Sequence, residues 1–265
     1  MVKEISIKRD EKSAPLSREK ILVGTDLKKV YPKTSVPALH NLNVSISEGE
    51  IFGLLGPNGA GKTTAISIMS TTILPTSGSV FICGLDALRY PSRVRKQIGL
   101  VPQDIALYPE LTVRENLNFF GRMYGLNGRG LERKIRDAIA LAGLEEKADQ
   151  QVFTYSGGMK RRANLAVGVL HRPRVLFLDE PTVGIDAQSR NMIMEKLMEL
   201  RDSGTTMVYT THYMEEAEQL CGRVAIIDEG QIIAEGTPKL LIEQDSGSSN
   251  LGEVFLSLTG KQLRD

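Results

Sequence analysis

The sequence predicts an α/β protein: a mainly parallel β-sheet with helices on both faces and a small helical subdomain inserted into it. Three observations predict this. The apolar run Ile51-Phe52-Gly53-Leu54-Leu55 passes through a glycine-rich loop into a segment of helical period that starts at Lys62. Further apolar runs at Gly99–Val101, Val175–Leu178, Met207–Tyr209 and Val224–Ile227 alternate with helical patterns. Between Gln103 and Tyr155 no clear strand occurs, whereas Val113–Tyr124 and Leu131–Leu141 carry helical spacing.

Taken in order, residues 1–19 are polar, with Pro15 and opposed charges, and read as a flexible tail. Ile21-Leu22-Val23 and Leu42–Ile46 read as strands, and Ser47-Glu48-Gly49-Glu50 forms the turn before the strand Ile51–Leu55. The unbroken apolarity of that third strand suits a parallel strand covered on both faces. A helix runs from Lys62 to about Thr71. The uncharged run Thr63–Leu85 is long enough to raise the question of a membrane span, but its Ser and Thr content with Pro75, Gly78 and Gly84 argues against one. The core is therefore placed at 20–244, with the helical subdomain at about 104–160. Residues 245–265 form a connector, Asp245–Asn250, and a short amphipathic helix from Leu251.

Composition narrows the function classes. A chain of 265 residues with a formal net charge of +1 has no general polyanion field, so nucleic acid is not expected as a partner. Cys83 and Cys221 are too few and too far apart for a disulfide framework or metal cluster, and suit a reducing compartment. The start of the chain carries no signal-peptide apolar region. A cytoplasmic protein is expected, one that works at a membrane only through another chain.

Gly56-Pro57-Asn58-Gly59-Ala60-Gly61-Lys62-Thr63 fits the phosphate-binding pattern G-x-x-x-x-G-K-[ST], and it lies where that pattern requires, after a strand and before a helix. Its backbone amides close around phosphates, Lys62 reaches the β and γ phosphates, and the Thr63 hydroxyl suits Mg²⁺. Asp179 ends an apolar strand, where a carboxylate can hold Mg²⁺, and adjacent Glu180 is placed to orient or deprotonate water. Tyr155-Ser156-Gly157-Gly158-Met159 opens a second helix and offers a further set of free amides to phosphate. One chain rarely aims two such sets at one phosphate. A facing second copy with nucleotide between the two resolves this.

Phosphate loop, Ser-Gly-Gly turn and Leu178-Asp179-Glu180-Pro181, in this order, resemble the ATP-binding cassette (ABC) ATPases over nearly all of residues 20–244. The resemblance implies that fold, with an antiparallel β subdomain beside the parallel core, and ATP with Mg²⁺ as ligands. It implies nucleotide contacts from Gly56 to Lys62, from Thr63 and Thr64, and from Ser156, Gly157 and Gly158. Tyr31 matches the aromatic position that stacks on adenine. Gln103 matches the glutamine that touches Mg²⁺ or water, and with Thr63 and Asp179 it makes up the implied metal set. Asp186 matches the loop that crosses the dimer interface; as a lone residue it reads more often as the N-cap of the helix starting near Ala187, and the two roles are compatible. His212 matches the histidine that senses the γ-phosphate. With Gln103 and Glu180 it completes the implied catalytic set.

Tyr155 and Met159 replace the Leu and Gln commonest in the family. Together with Lys160-Arg161-Arg162, Thr211–Glu218 and the tail Leu251–Thr259 they resemble ATPase subunits of ABC-2-type exporters. Lys160–Arg162 read either as positive field near phosphate or as a solvated helical face. On the resemblance, membrane permease subunits dock near residues 104–117 and the chain sits on the cytoplasmic face of the membrane as one of two ATPase subunits. Leu111 and Val113 in that stretch read equally as docking surface or as core. A soluble ABC ATPase acting on DNA, ribosomes or cofactor assembly is the chief alternative. A nucleotide kinase or GTPase shares the phosphate loop but has no need of Ser156-Gly157-Gly158.

Overall fold

The computed structural model describes residues 19–260. The expected N-terminal tail, apart from Glu19, and residues 261–265 lie outside them. β1 (Lys20–Lys29) pairs antiparallel with β2 (Leu39–Ser47), and β3 (Ile51–Leu55) is buried at every position, as its unbroken apolarity requires. The chain then turns through the glycine loop into α1 (Lys62–Met69). β4 (Ser77–Ile82) returns to pair with β1, β5 (Leu85–Asp86) pairs with β4, and the single turn α2 (Pro91–Val94) leads to β6 (Ile98–Val101).

Three helices follow without a strand: α3 (Val113–Met123), α4 (Gly128–Ala142) and α5 (Gly157–Val169). Thr112 and Glu115 close a reciprocal capping box at the start of α3, which satisfies amides that a helix start leaves open. The rest of the chain alternates: β7 (Val175–Asp179), α6 (Ala187–Asp202), β8 (Thr206–Thr211), α7 (Met214–Leu220), β9 (Arg223–Asp228), β10 (Gln231–Gly236), α8 (Pro238–Gln244) and α9 (Leu251–Thr259).

Two sheets result. A four-stranded antiparallel sheet has the order β2-β1-β4-β5, and a six-stranded sheet has the order β10-β9-β3-β8-β7-β6, parallel except for the hairpin β9-β10. Successive strand residues point to opposite faces, so the six-stranded sheet feeds two cores. Phe52, Leu54, Phe177 and Val208 pack with α1 and the antiparallel sheet. Ile51, Leu55, Leu176 and Tyr209 pack with α5, α6, α7 and α9. A third apolar cluster, including Val113, Leu117, Leu131, Ile135, Ala163 and Leu170, joins α3, α4 and α5.

β4, β5 and β10 are strands that the apolar runs do not announce. In β4 only Val80 and Ile82 are buried, behind a Ser-Gly-Ser start, and β10 is half-exposed along its length as an edge strand. Val113 is core, whereas Leu111 is half-buried and its carbonyl accepts a hydrogen bond from the Val152 amide. Among the described residues no helix is long and apolar enough to cross a membrane.

Glycine is required in the loop after β3 at two places in particular. A Cβ on Gly56 would meet the Ile227 carbonyl at 2.3 Å, and Gly61 has φ +109° with the Ala38 carbonyl 2.6 Å from where its Cβ would stand. Gly56→Ala is therefore expected to cost about 1–3 kcal/mol through this backbone contact, read as a lower urea midpoint with an unchanged m-value.

Candidate functional site

Strand register brings the site together. Leu55 of β3 lies opposite Thr211 of β8, Asp179 of β7 opposite Thr210 of β8, and Val101 of β6 opposite Leu178 of β7. The loops that leave the carboxyl ends of four adjacent parallel strands therefore share one edge, the usual place for a ligand in such sheets. They carry the phosphate loop, Asp179-Glu180, His212 and Gln103.

Glu180 is at the centre. It is only 7% exposed, and its φ of +48° places a non-glycine residue in the left-handed region. Its amide bonds the Thr210 carbonyl at 3.2 Å and the Thr210 hydroxyl at 3.0 Å, and these bonds hold that backbone in place. One carboxylate oxygen lies 3.5 Å from Lys62 Nζ; the other accepts from Gln103 Nε2 at 3.4 Å and lies 3.2 Å from His212 Nδ1. The His212 contact has ion-pair distance without hydrogen-bond geometry, since Nδ1 has no hydrogen-bond partner.

Lys62 Nζ also donates to the carbonyls of Gly56 at 2.7 Å and Pro57 at 3.2 Å. Burial lowers the Lys62 pKa, against the opposing pull of Glu180 and Asp179. Asp179 is buried and its Oδ1 accepts from the Thr210 hydroxyl at 2.7 Å; burial raises its pKa, and hydrogen bonds from Thr210 and Thr63 oppose the rise. A cavity of about 390 Å³ opens on this edge, lined by Asn58, Gly59, Lys62, Thr63, Thr64, Gln103 and Glu180 among others. A larger cleft of about 510 Å³ between α4, α5 and the end of α6 contains none of these residues. The smaller cavity is the candidate site, because the glycine loop, the Lys62 ammonium and the Glu180 carboxylate converge on it.

The cradle fits a polyphosphate with Mg²⁺. Gly59 faces open space, Gly56 and Gly61 leave no room for side chains, and Thr63 is exposed at the start of α1 with Asp179 behind it. Among the described residues no three acidic, His or Cys side chains gather to hold a metal by themselves. One carboxylate, one hydroxyl and substrate phosphate oxygens are the donor set that suits Mg²⁺.

The remaining expected residues do not line this cavity. Tyr31 is at the rim, 39% exposed, its hydroxyl 3.3 Å from the Thr64 hydroxyl and its ring 5.3 Å from Lys29 Nζ. Ser156 and Gly157 are exposed at the start of α5, where the Ser156 hydroxyl caps the helix by accepting from the Met159 amide at 3.3 Å. Gly158 is a packing residue: a Cβ there would stand 2.1 Å from the Ser189 hydroxyl of α6. Asp186 is the N-cap of α6, accepting from the Ser189 amide at 2.8 Å and hydroxyl at 2.7 Å, and these bonds lower its pKa.

Arg161 and Arg162 keep their positive charge and also serve backbone carbonyls. Arg161 donates to the carbonyls of Gln103 and Val183, and Arg162 donates to those of Ala142 and Gly143, so both guanidiniums are occupied in tying α5 to neighbouring loops. Tyr155 is 5% exposed and donates to the Lys147 carbonyl at 2.5 Å, a residue of the helical core. Asn164 of α5 holds the other side of the Gln103 loop through the Ala106 amide and the Pro102 carbonyl. Thr210 and Asn164 escaped the sequence reading because each matters through a contact more than 25 residues away.

A parallel sheet with a phosphate loop at the end of β3 and Asp-Glu at the end of β7, one strand further across β8, defines a phosphate-loop ATPase. The chain belongs to the ABC transporter family, whose pattern matches residues 39–183. It is 43% identical over 243 residues to the linearmycin resistance ATP-binding protein LnrL of Bacillus subtilis, covering 89% of this chain and 78% of that protein. It is 44% identical over 209 residues to the Nod factor export ATP-binding protein I of Burkholderia lata, covering 79% and 69%. Its fold matches the ATP-binding cassette MJ0796, a dimer in a post-hydrolysis state bound to ADP and Pi, with TM-score 0.75 and 27% identity over 82% of this chain and 98% of that one. The chain is an ATP-binding, ATP-hydrolysing cassette.

Proposed function

We propose that the chain powers an ABC-2-type exporter from the cytoplasmic face of the membrane, as one of two ATPase subunits. The observation that carries this is the similarity to two export or resistance ATPases across more than two thirds of each. Phosphate of ATP is held by the Gly56–Thr64 loop of one subunit and by Ser156, Gly157 and Gly158 of the other. The exposure of Ser156 and Gly157, and their separation from the cavity at Lys62, support such a split site. Tyr31 at the rim takes the adenine, and Asp186 caps α6 while facing the partner copy. Thr63, Asp179 and Gln103 would hold Mg²⁺, which would offset phosphate charge. Glu180 takes the proton of the attacking water. His212 and Gln103 hold that carboxylate and the water in line.

Closure moves the α3–α5 region, and α5 is bonded to the Gln103 loop through Arg161 and Asn164. A membrane subunit docks on that region, around the 104–117 segment. An exposed aromatic patch supports this: Tyr108 is 46% exposed and Phe119 40%, with ring centroids 5.0 Å apart, and Met123 and Phe153 lie open on the same helical region. Only Tyr108 of these falls within 104–117. Tyr108→Asp with Phe119→Asp is expected to abolish co-purification of a polytopic membrane protein from detergent extracts while leaving soluble ATP binding unchanged. Recovery of the unmodified chain with ribosomes or DNA and with no polytopic protein would overturn the exporter reading.

A further inference from the structure

A third carboxylate is buried a short distance behind Asp179 and Glu180. Glu216 of α7 is 3% exposed, and its Oε2 accepts three hydroxyls: Tyr209 at 2.6 Å, Thr182 at 2.9 Å and Thr211 at 3.0 Å. Its Oε1 lies 3.4 Å from Arg190 Nε, ion-pair distance without a hydrogen bond. A carboxylate this deep is unfavourable unless it is well partnered, and four side chains from three segments, β8, the loop after β7 and α6, gather on this one anion. Burial and the neighbouring Glu216 hold the Tyr209 phenol far above its usual pKa, so it remains a donor.

The partners border the reacting groups. Thr182 is two residues beyond Glu180, and Thr211 directly precedes His212. The Thr211 hydroxyl that donates to Glu216 also accepts from the Tyr213 amide at 2.9 Å, so both neighbours of His212 are tied back to the same carboxylate. Arg190 lies 4.6 Å from the centroid of the Tyr213 ring, which in turn lies 4.2 Å from that of His212. The Arg190 amide bonds the Asp186 carbonyl at 3.0 Å, one helical turn from the loop that leads into α6.

We propose that Glu216 is a positioning residue for ATP hydrolysis: its carboxylate locks the segments after Glu180 and around His212 in one mutual geometry. It touches neither nucleotide nor water. It acts through the placement of His212 against the Glu180 carboxylate, a 3.2 Å contact with no hydrogen bond of its own to fix it. The inference rests on the assignment of Glu180 and His212 to hydrolysis made above.

Glu216→Gln keeps shape but brings a neutral amide to Arg190 and to the hydroxyls. It is expected to lower kcat by about ten- to a hundredfold while ATP affinity stays within about twofold, because misplaced reacting groups cost turnover and leave ground-state binding intact. Thr211→Val keeps the Glu216 carboxylate and its charge but removes one of its three hydroxyl donors and the link to the Tyr213 amide, and is expected to lower kcat in the same direction by a smaller factor even if Glu216→Gln does not fold. In a His212→Ala background the Glu216→Gln effect should largely vanish, since two changes acting through one group are not additive. An unchanged kcat in both Glu216→Gln and Thr211→Val overturns the proposal. So does a parallel loss of kcat and ATP affinity, or an undiminished Glu216→Gln effect without His212. If His212→Ala alone hydrolyses ATP normally, the assignment of His212 fails first, and that outcome is distinct from a silent Glu216→Gln.

Discussion

Replacing Glu180 with Gln is expected to leave ATP binding intact and to lower turnover by about two to four decades, the range that loss of a general base commands. The side chain keeps its length and the backbone keeps its φ of +48°, so the substitution tests charge and basicity alone. The amide cannot accept a proton, yet it can still accept from Gln103 Nε2, now 3.4 Å from the carboxylate. Lys62 loses the anion 3.5 Å from its Nζ and turns more readily to phosphate, so ATP affinity should hold or rise. The measurements are single-turnover phosphate release and fluorescent-nucleotide titration on the same preparation. Phosphate release within about threefold of the unmodified chain would remove Glu180 from its role, since a residue acting as base cannot be that dispensable. A parallel loss of binding would instead make it a structural counter-ion for Lys62.

The sequence made some of this legible for a physical reason. Lys62, Gln103, Asp179, Glu180 and His212 all stand at or just beyond the carboxyl ends of apolar strands, and parallel pairing of such strands brings their ends to one edge whatever the details of packing. β4 and β10 were hidden because each buries few side chains, and an edge or thin strand carries little hydrophobic pattern. The carbonyls that Arg161 and Arg162 serve are not legible in the sequence, because a run of cations on a helix is ordinarily solvated and only the loops packed against α5 reveal these partners. Glu216 was invisible for the same reason. In Met214-Glu215-Glu216-Ala217-Glu218 three acids look alike, and only the tertiary fold turns one of them inward beneath Tyr209 and Thr182.

The second large effect belongs to the face that the cavity leaves out. Ser156→Arg is expected to abolish ATP-induced dimerisation while a single chain still binds ATP. Ser156 is exposed, it is not among the residues lining the cavity at Lys62, and it opens a helix whose first amides are free to meet an anion from outside the chain. A long guanidinium at that point obstructs the close approach of a facing phosphate to Gly157 and Gly158. The change also removes a helix cap, worth about 0.5–2 kcal/mol, so a loss of dimer through poor folding must be separated from loss of the interface. Ser156→Asp does this. It keeps an acceptor for the Met159 amide, bonded at 3.3 Å by the native hydroxyl, but sets a negative charge against phosphate. Both variants are best compared in the Glu180→Gln background, where ATP is not consumed and the closed pair accumulates. Light scattering with ATP should show a dimer for Glu180→Gln alone and monomers for either double variant. A dimer that survives both substitutions would mean that the start of α5 does not meet nucleotide, and the split site would have to be abandoned even though every residue around Lys62 kept its role.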